Sequence, residues 1–325
     1  LLTYTYIHIL QSYNIMKKNF LTFSILFIFF LMLAKMDITK TYALIGLNLW
    51  LFSVLPTLLP FTIISSILLH IEAFSKPLEI IKRFTKTNFN EYIPFIIICG
   101  LFCGCPIGAK LSADTYRQKK ISCKTATFLL CSLSSLSPAF IINFALPTSL
   151  SINLKITLYI IIILSNIIAA YTIVHILHIQ DDSLDTEYPA VNNTTNVHKN
   201  ATSLTDIFEN CILSSFEIQG KIGGYIIIFS CISGLFIQTL HLNPYVSLIF
   251  NSILEISSGL GTYNSISLSH QYIPLIAALI SFGGVCTICQ MFSCMNDVDI
   301  PKKCLIYSKV LSGGLTYILT YIFLN

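Results

Sequence analysis

The chain has 325 residues, of which 54% are hydrophobic and only 10% are charged, and its mean hydropathy is +0.76. Soluble domains carry about 25% charged residues, so this composition excludes an ordinary water-soluble domain and predicts an all-α, polytopic membrane protein. The net charge of +4 is small and spread along the chain, and no basic patch is interleaved with aromatic residues. Nucleic acid is therefore not an expected partner.

The N-terminal part of the chain predicts two apolar spans. Residues 1–19 are interpreted as an extension with a natural start at Met16, because two lysines follow that methionine directly before the apolar run of residues 20–33. No small-residue cleavage motif follows the run, so we expect a retained span and not a signal peptide. Residues 42–71 predict a second span, kinked by prolines. Trp50, within it, is interpreted as an interfacial anchor.

A short apolar run then ends in a glycine-proline motif. Residues 93–102 are too few to cross the bilayer, since a crossing helix needs about twenty. Basic residues follow the motif at residues 104–110, and basic loops favour the cytoplasm. If residues 93–108 enter the membrane and return, the basic residues stay on the cytoplasmic side. If the segment crossed the membrane, they would lie outside. Residues 126–146 and 154–179 predict an out-and-back pair of spans, the first of them broken at Ser137 and the proline that follows it.

An acidic, Asn/Thr-rich stretch at residues 180–204 is interpreted as a flexible linker between a first membrane half, residues 20–179, and a second, residues 205–325. The second half is predicted to begin with an amphipathic surface helix at residues 205–220 and a span at 223–242. A short apolar run at 245–257 follows and breaks at 258–261. An interrupted span at 273–291 and a last span at 306–324 complete this half. The crossing count places the two re-entrant breaks at opposite faces of the membrane. Two inverted halves, each with a re-entrant or broken helix, are typical of transporters.

The motif at residues 104–110 supplies the first candidate substrate-binding residues. Gly104 and Gly108 permit backbone conformations and close approaches that other residues forbid. Pro106, next to Cys105, prevents a continuous helix. If a helix begins near Lys110, its first amides could bind an anion or a carbonyl. The alternative is a packed turn without a ligand.

Four further residues complete the candidate set. Ser137 lies in a serine-rich run that could unwind and expose carbonyls, although small hydroxyl residues also allow close helix packing. Glu255 follows an apolar run, and a charge deep in a bilayer costs about 2.5–3.5 kcal/mol, so such residues usually face a cavity. The alternative is a shallow, solvated position. Gly259 belongs to the same break, and Gln290 is a weaker polar candidate in a late span.

The sequence offers no support for an enzyme, a cofactor or a metal site. It contains no phosphate loop of the Walker type, no HExxH motif and no compelling Ser/His/Asp arrangement. Most of the eleven cysteines lie in apolar runs, where cysteine behaves as a small hydrophobic residue. A metal or redox role, based on the spacing of Cys99, Cys103 and Cys105 and of Cys286 and Cys289, is the alternative interpretation.

Several stretches resemble the sporulation integral membrane proteins of the YlbJ type: LWLFSVLPTLLPFTIISSILL at residues 49–69, GCPIGAKLSADTYRQKKIS at 104–122, SPAFII at 137–142 and SFGGVCTICQMFSC at 281–294. The resemblance covers roughly residues 42–309. Members of that family carry nucleoside-recognition or Gate domains, named for their similarity to nucleoside transporters and to the ferrous-iron permease core.

The resemblance implies a multipass protein of an endospore-forming bacterium, in a forespore or mother-cell membrane, with a role in spore formation and cortex assembly. The leading hypothesis is a transporter or permease-like protein for a small solute or ion. The alternative is a membrane scaffold that organises cortex-synthesis enzymes. The expected partners are the lipid bilayer and the solute. Other sporulation membrane proteins and further copies of the chain are additional candidates.

Overall fold

The computed structural model describes residues 2–70, 92–147, 149–180, 204–263, 270–295 and 298–325. In this part of the chain all regular structure is helical, which confirms the predicted all-α class. The predicted linker, apart from its two end residues, lies outside the described residues. The α-helices are α1 (Leu2–Ala34), α2 (Met36–Leu49), α3 (Leu55–His70), α4 (Tyr92–Cys103), α5 (Ile107–Arg117), α6 (Cys123–Ser132), α7 (Pro138–Phe140), α8 (Ile152–Ile176), α9 (Leu204–Leu240), α10 (Pro244–Leu254), α11 (Ile256–Tyr263), α12 (Ile273–Phe282), α13 (Gly284–Cys294) and α14 (Lys302–Leu324). A π-helical turn, Trp50–Val54, joins α2 to α3, and a second, Ile141–Ala145, extends α7.

Four helical stretches among the described residues are long and apolar enough to cross a membrane: Met36–Leu68, Ile152–Ile176, Thr205–Leu240 and Ile273–Cys294. A helix of 25 residues such as α8 is about 38 Å long, compared with a hydrocarbon core of about 30 Å. Large apolar side chains on its surface, including Ile160 and Ile168, are exposed, as expected for contact with lipid. The chain is a membrane-embedded protein.

Two pairs of short helices form hairpins. The legs α4 and α5 have 12 and 11 residues, or about 18 Å each, and cannot cross the bilayer alone. They contact each other closely, because a Cβ atom at Gly108 would lie 3.2 Å from the Cα atom of Gly100. In the second hairpin, α10 turns back into α11, and a Cβ atom at Gly259 would collide with Ser252. The first hairpin agrees with the predicted re-entrant segment.

Two other membrane helices are interrupted. The helix that begins with α6 ends at Ser132 and resumes at Pro138 as α7. The helix that begins with α12 is broken at Gly283, whose φ of 79° is left-handed, and continues as α13. This second interruption lies where the double glycine predicted it.

The same order of elements therefore occurs twice along the chain. A long helix, a hairpin, a broken helix and another long helix follow one another in residues 36–176 and again in residues 204–324. Between the hairpins lie the first broken helix, α8 and α9, and of these α8 and α9 are long and apolar enough to cross a membrane. Entry of the two hairpins from opposite faces, as in an inverted repeat, requires that the broken helix crosses as well, and it stays a prediction.

The two halves interlock in their apolar cores. One core packs the first hairpin, through Ile107 and Leu111, with Ile288 and Met291 of α13 from the second half. A second core packs Leu248 and other residues of the second hairpin with the π-helical turn and α8 of the first half. Each hairpin is thus held by the broken helix of the other half, and neither half is an independent unit.

Three sequence-based interpretations were wrong. The proposed surface helix at residues 205–220 is the first part of α9, which continues without interruption. The second hairpin turns at Glu255 and not at residues 258–261, which lie within α11. Trp50 is not an interfacial anchor: it lies in the middle of the stretch Met36–Leu68, and its Nε1 donates a hydrogen bond of 3.0 Å to the carbonyl of Gln219.

Adjacent glycines on α9 provide a matched pair for testing this packing. A Cβ atom at Gly223 would lie 2.6 Å from the ring of Trp50, whereas one at Gly224 would meet nothing within 4 Å. We expect Gly223→Ala to lower the thermal unfolding midpoint of the purified protein by several degrees. Gly224→Ala should leave it unchanged or raise it, because alanine favours a helix by about 1 kcal/mol over glycine. Equal midpoints for the two variants would contradict the contact between α9 and Trp50.

Candidate functional site

The first hairpin tip, residues 104–106, rests directly on the first helix break, residues 133–137. Gly104 has a φ of 73°, and a Cβ atom there would collide with the backbone nitrogen of Ser137. The amide of Cys105 donates a hydrogen bond of 2.7 Å to the carbonyl of Ser135. Glycine is required at this point for both backbone conformation and space, so the tip and the break form one backbone-to-backbone contact.

The second hairpin tip, Glu255, and the second helix break, Gly283, meet in the corresponding way. Gly284, with a φ of 84°, follows the break, and a Cβ atom there would lie 3.1 Å from the carbonyl oxygen of Ser252 and 3.3 Å from that of Leu254. Each half therefore contributes a hairpin tip and a helix break in contact. We refer to the four together as the junction.

Lys309 of α14 joins the two halves of the junction. Its Nζ donates hydrogen bonds of 2.9 Å to the carbonyl oxygen of Ser134, in the first break, and of 2.7 Å to that of Ser281, beside the second break. The side chain is fully buried. A hydrogen bond from a charged donor contributes about 1.5–3 kcal/mol. Two such bonds offset the roughly 2.5–3.5 kcal/mol that a lysine at the centre of a membrane helix costs.

Glu255 is buried, 3% exposed, and its carboxylate is bound by the first turn of α11. It accepts hydrogen bonds from the backbone amide of Ser257 at 3.0 Å, and from the amide and hydroxyl of Ser258 at 2.6 Å each. The hydroxyl of Ser258 also lies 3.1 Å from that of Ser230 on α9. A negative charge at a helix N-terminus is favourable, so this carboxylate stabilises the start of α11 as a capping group does.

The other predicted site residues divide into two groups. Pro106 immediately precedes α5, and Ser137 accepts a hydrogen bond of 3.2 Å from the amide of Phe140, so both lie at the junction and shape its helix ends. Lys110 does not point at the junction, because its Nζ donates a hydrogen bond of 2.9 Å to the hydroxyl of Ser66 on α3. Gln290 lies further along α13 and donates to the thiol of Cys286 at 3.2 Å.

The first amides of α5 are engaged locally. The amide of Ile107 donates to the carbonyl of Gly104 at 3.0 Å, that of Gly108 to the same oxygen at 3.4 Å, and that of Lys110 to the carbonyl of Pro106 at 2.9 Å. The proposed use of these amides for an anion stays a prediction, and binding would require some of these bonds to open.

Unpartnered hydroxyl groups add polarity around the junction. Ser135 lies in the first break, Ser281 lies two residues before Gly283 of the second break, and Ser252 lies beside the second tip. Each is buried, and its hydroxyl has no hydrogen-bond partner within the described part of the chain. Buried hydroxyl groups without a partner destabilise a protein by about 1–3 kcal/mol. Such groups are expected to bind water or a polar solute.

Lys309 is the functional candidate that the sequence analysis missed. The residue lies three positions into the predicted last span, residues 306–324, and the sequence analysis assigned it no role. The available signal was its charge within an apolar helix, which by itself predicts a partner inside the protein. The sequence does not indicate which carbonyls that partner would be.

The described part of the chain contains no group of three or more His, Cys, Asp or Glu side chains that could hold a metal ion. All eleven cysteines are free thiols, and eight of them, including Cys105 and Cys286, are buried.

Comparison with known proteins gives one relevant similarity. The chain is 24% identical over 318 residues to the sporulation integral membrane protein YlbJ of Bacillus subtilis (strain 168), a similarity that covers 86% of this chain and 75% of that protein. No family model matches the chain, and no solved structure matches it. The similarity agrees with the membrane-embedded character of the fold.

The cap at the second hairpin tip yields a stability prediction. Glu255→Ala removes three hydrogen bonds at the start of α11, and loss of a helix cap costs about 0.5–2 kcal/mol. We expect the thermal unfolding midpoint to fall by several degrees. Glu217→Ala on α9 is the control, because its carboxylate is 67% exposed and pairs only with Lys221 at 2.6 Å. A midpoint for Glu255→Ala equal to that of the control would exclude a capping role.

Proposed function

We propose that this chain is a membrane transport protein that moves a small polar solute past the junction, and that it is not an enzyme. The observation that carries the proposal is the meeting of two hairpin tips and two helix breaks around a buried lysine. Helices interrupted at membrane depth are tolerated only where protein or a cavity covers the freed backbone. In transporters such discontinuous helices form the substrate site near the centre of the bilayer.

The chemistry of the junction favours a polar solute without a large net charge. The ammonium of Lys309 and the carboxylate of Glu255 are each bound by backbone groups. The hydroxyls of Ser135, Ser252 and Ser281 remain as uncommitted donors and acceptors. Hydroxyl groups can both donate and accept, so they suit a solute with alternating donors and acceptors.

The physiological setting is proposed from similarity. The relative in Bacillus subtilis is named as a sporulation integral membrane protein, and the proposed role of this chain is in endospore formation, in the plasma membrane of a forespore or mother cell. A Gate-type domain, the transport of a solute needed for cortex assembly and association with other sporulation membrane proteins belong to the same proposal.

A variant that keeps the fold tests transport directly. Ser135→Ala removes a buried hydroxyl that has no hydrogen-bond partner among the residues that the structure describes, so it should not lower stability. We expect the variant to unfold at or above the wild-type midpoint but to lose uptake at least about tenfold, since a lost hydrogen bond of about 1.4 kcal/mol corresponds to that factor. Uptake would be measured in proteoliposomes with a panel of radiolabelled nucleosides, hexoses and amino acids. Ser214→Ala on α9, whose hydroxyl donates only to its own helix, is the control.

Heat-resistant spore counts provide the parallel measurement in cells. Ser135→Ala and Lys309→Met would be expressed in a sporulating host that lacks its own homologue, with membrane abundance verified by immunoblotting. If the chain is a transporter, both variants should accumulate in the membrane but fail to restore spore formation, whereas Ser214→Ala should restore it. Full spore restoration by both junction variants would contradict transport and favour the scaffold hypothesis.

A further inference from the structure

The ammonium of Lys309 lies where two helix C-termini point. Ser134 follows the C-terminus of α6 by two residues, and Ser281 is in the last turn of α12. The carbonyl of Ser281 is one of the last carbonyls of α12, which have no partners within their helix, whereas that of Ser134 belongs to the unwound backbone just after α6. A helix C-terminus carries a partial charge of about −0.5. Two such ends together balance about one positive charge.

This position is one that a free cation commonly occupies in membrane transporters. There, unwound backbone carbonyls and the C-terminal ends of half-helices coordinate the coupling ion. Here the same kind of oxygen atoms accept hydrogen bonds of 2.9 Å and 2.7 Å from Nζ of Lys309. A lysine ammonium is a compact point charge, so it resembles a small monovalent cation in both size and charge.

The partners of Lys309 also separate this arrangement from an ordinary buried ion pair. Among the described residues no carboxylate lies within salt-bridge distance of Nζ, and Glu255 is committed to the first turn of α11. The charge of Lys309 is instead balanced by backbone carbonyls. The hydroxyl of Ser281, which is buried and has no hydrogen-bond partner among the described residues, belongs to the same residue as one of these carbonyls.

We propose that Lys309 acts as a built-in cation: its ammonium fills a monovalent cation site between the ends of α6 and α12, so that the junction forms without Na⁺ or K⁺. The consequence for coupling rests on the proposed transport function. The occupation of the site by Lys309 does not depend on the transport function, and it is tested without any solute.

The test compares cation dependence of stability in wild-type protein and in Lys309→Ala, which removes the ammonium and leaves space between the carbonyls. Thermal unfolding of purified protein would be recorded in choline chloride and, at equal ionic strength, in chlorides of Na⁺, K⁺ and methylammonium. Choline is too large for the site, so it controls for screening by salt. Lys303→Ala, at an exposed position of the same helix, is the matched variant.

We expect the wild type and Lys303→Ala to unfold at the same midpoint in all four salts. Lys309→Ala should unfold at a lower midpoint in choline chloride and recover saturably in at least one small cation. At a concentration ten times the dissociation constant, the gain corresponds to about 2 °C.

Two results would overturn the proposal. One is a Lys309→Ala variant whose midpoint does not depend on the salt. The other is a wild-type protein stabilised saturably by Na⁺ or K⁺ over choline, which would reveal a separate site for a free cation. The wild-type measurement needs no variant, so it tests the proposal even where Lys309→Ala does not accumulate. Because no solute is present, failure here and failure of transport are distinguishable.

Discussion

Backbone groups that leave a helix inside a bilayer have no water to bind, and in this chain four such places depend on one another for hydrogen bonds and contacts. The first hairpin tip donates to the first helix break, through Cys105 and Ser135. The second tip and the second break pack backbone against backbone around Gly284. Lys309 then satisfies one carbonyl from each half. The interlocked apolar cores follow from this arrangement, because each hairpin can reach the junction only by packing against the other half.

Much of this architecture can be predicted from the sequence because breaks in membrane helices require unusual residues. Gly104 and Gly283 adopt left-handed backbone conformations that other residues rarely adopt, Pro106 cannot continue a helix from the residues before it, and all three lie at observed breaks. The short run before Gly104 is too short to span, which predicts a hairpin from length alone. The composition of the long helices, with apolar residues on every side, similarly identifies the membrane spans.

The remaining features depend on tertiary contacts that no local pattern reveals. Gly259 was interpreted as a break because glycine bends chains, yet its role is to let α11 approach Ser252. The turn at Glu255 has no glycine or proline of its own; it is stabilised by the carboxylate that caps the next helix. Lys309 resembles a border residue in sequence, and only the fold brings it to carbonyls 175 and 28 residues away.

A positive charge fixed to α14 has an electrical consequence for the proposed transport. A free coupling ion crosses with its solute and is released, so each cycle moves charge through the membrane, worth about 2.3 kcal/mol per elementary charge at 100 mV. An ammonium that is covalently part of the chain cannot be released on the far side. As long as Lys309 keeps its proton through the cycle, a neutral solute would move without net current, and its gradient alone, independent of the membrane potential, would set the direction of flow.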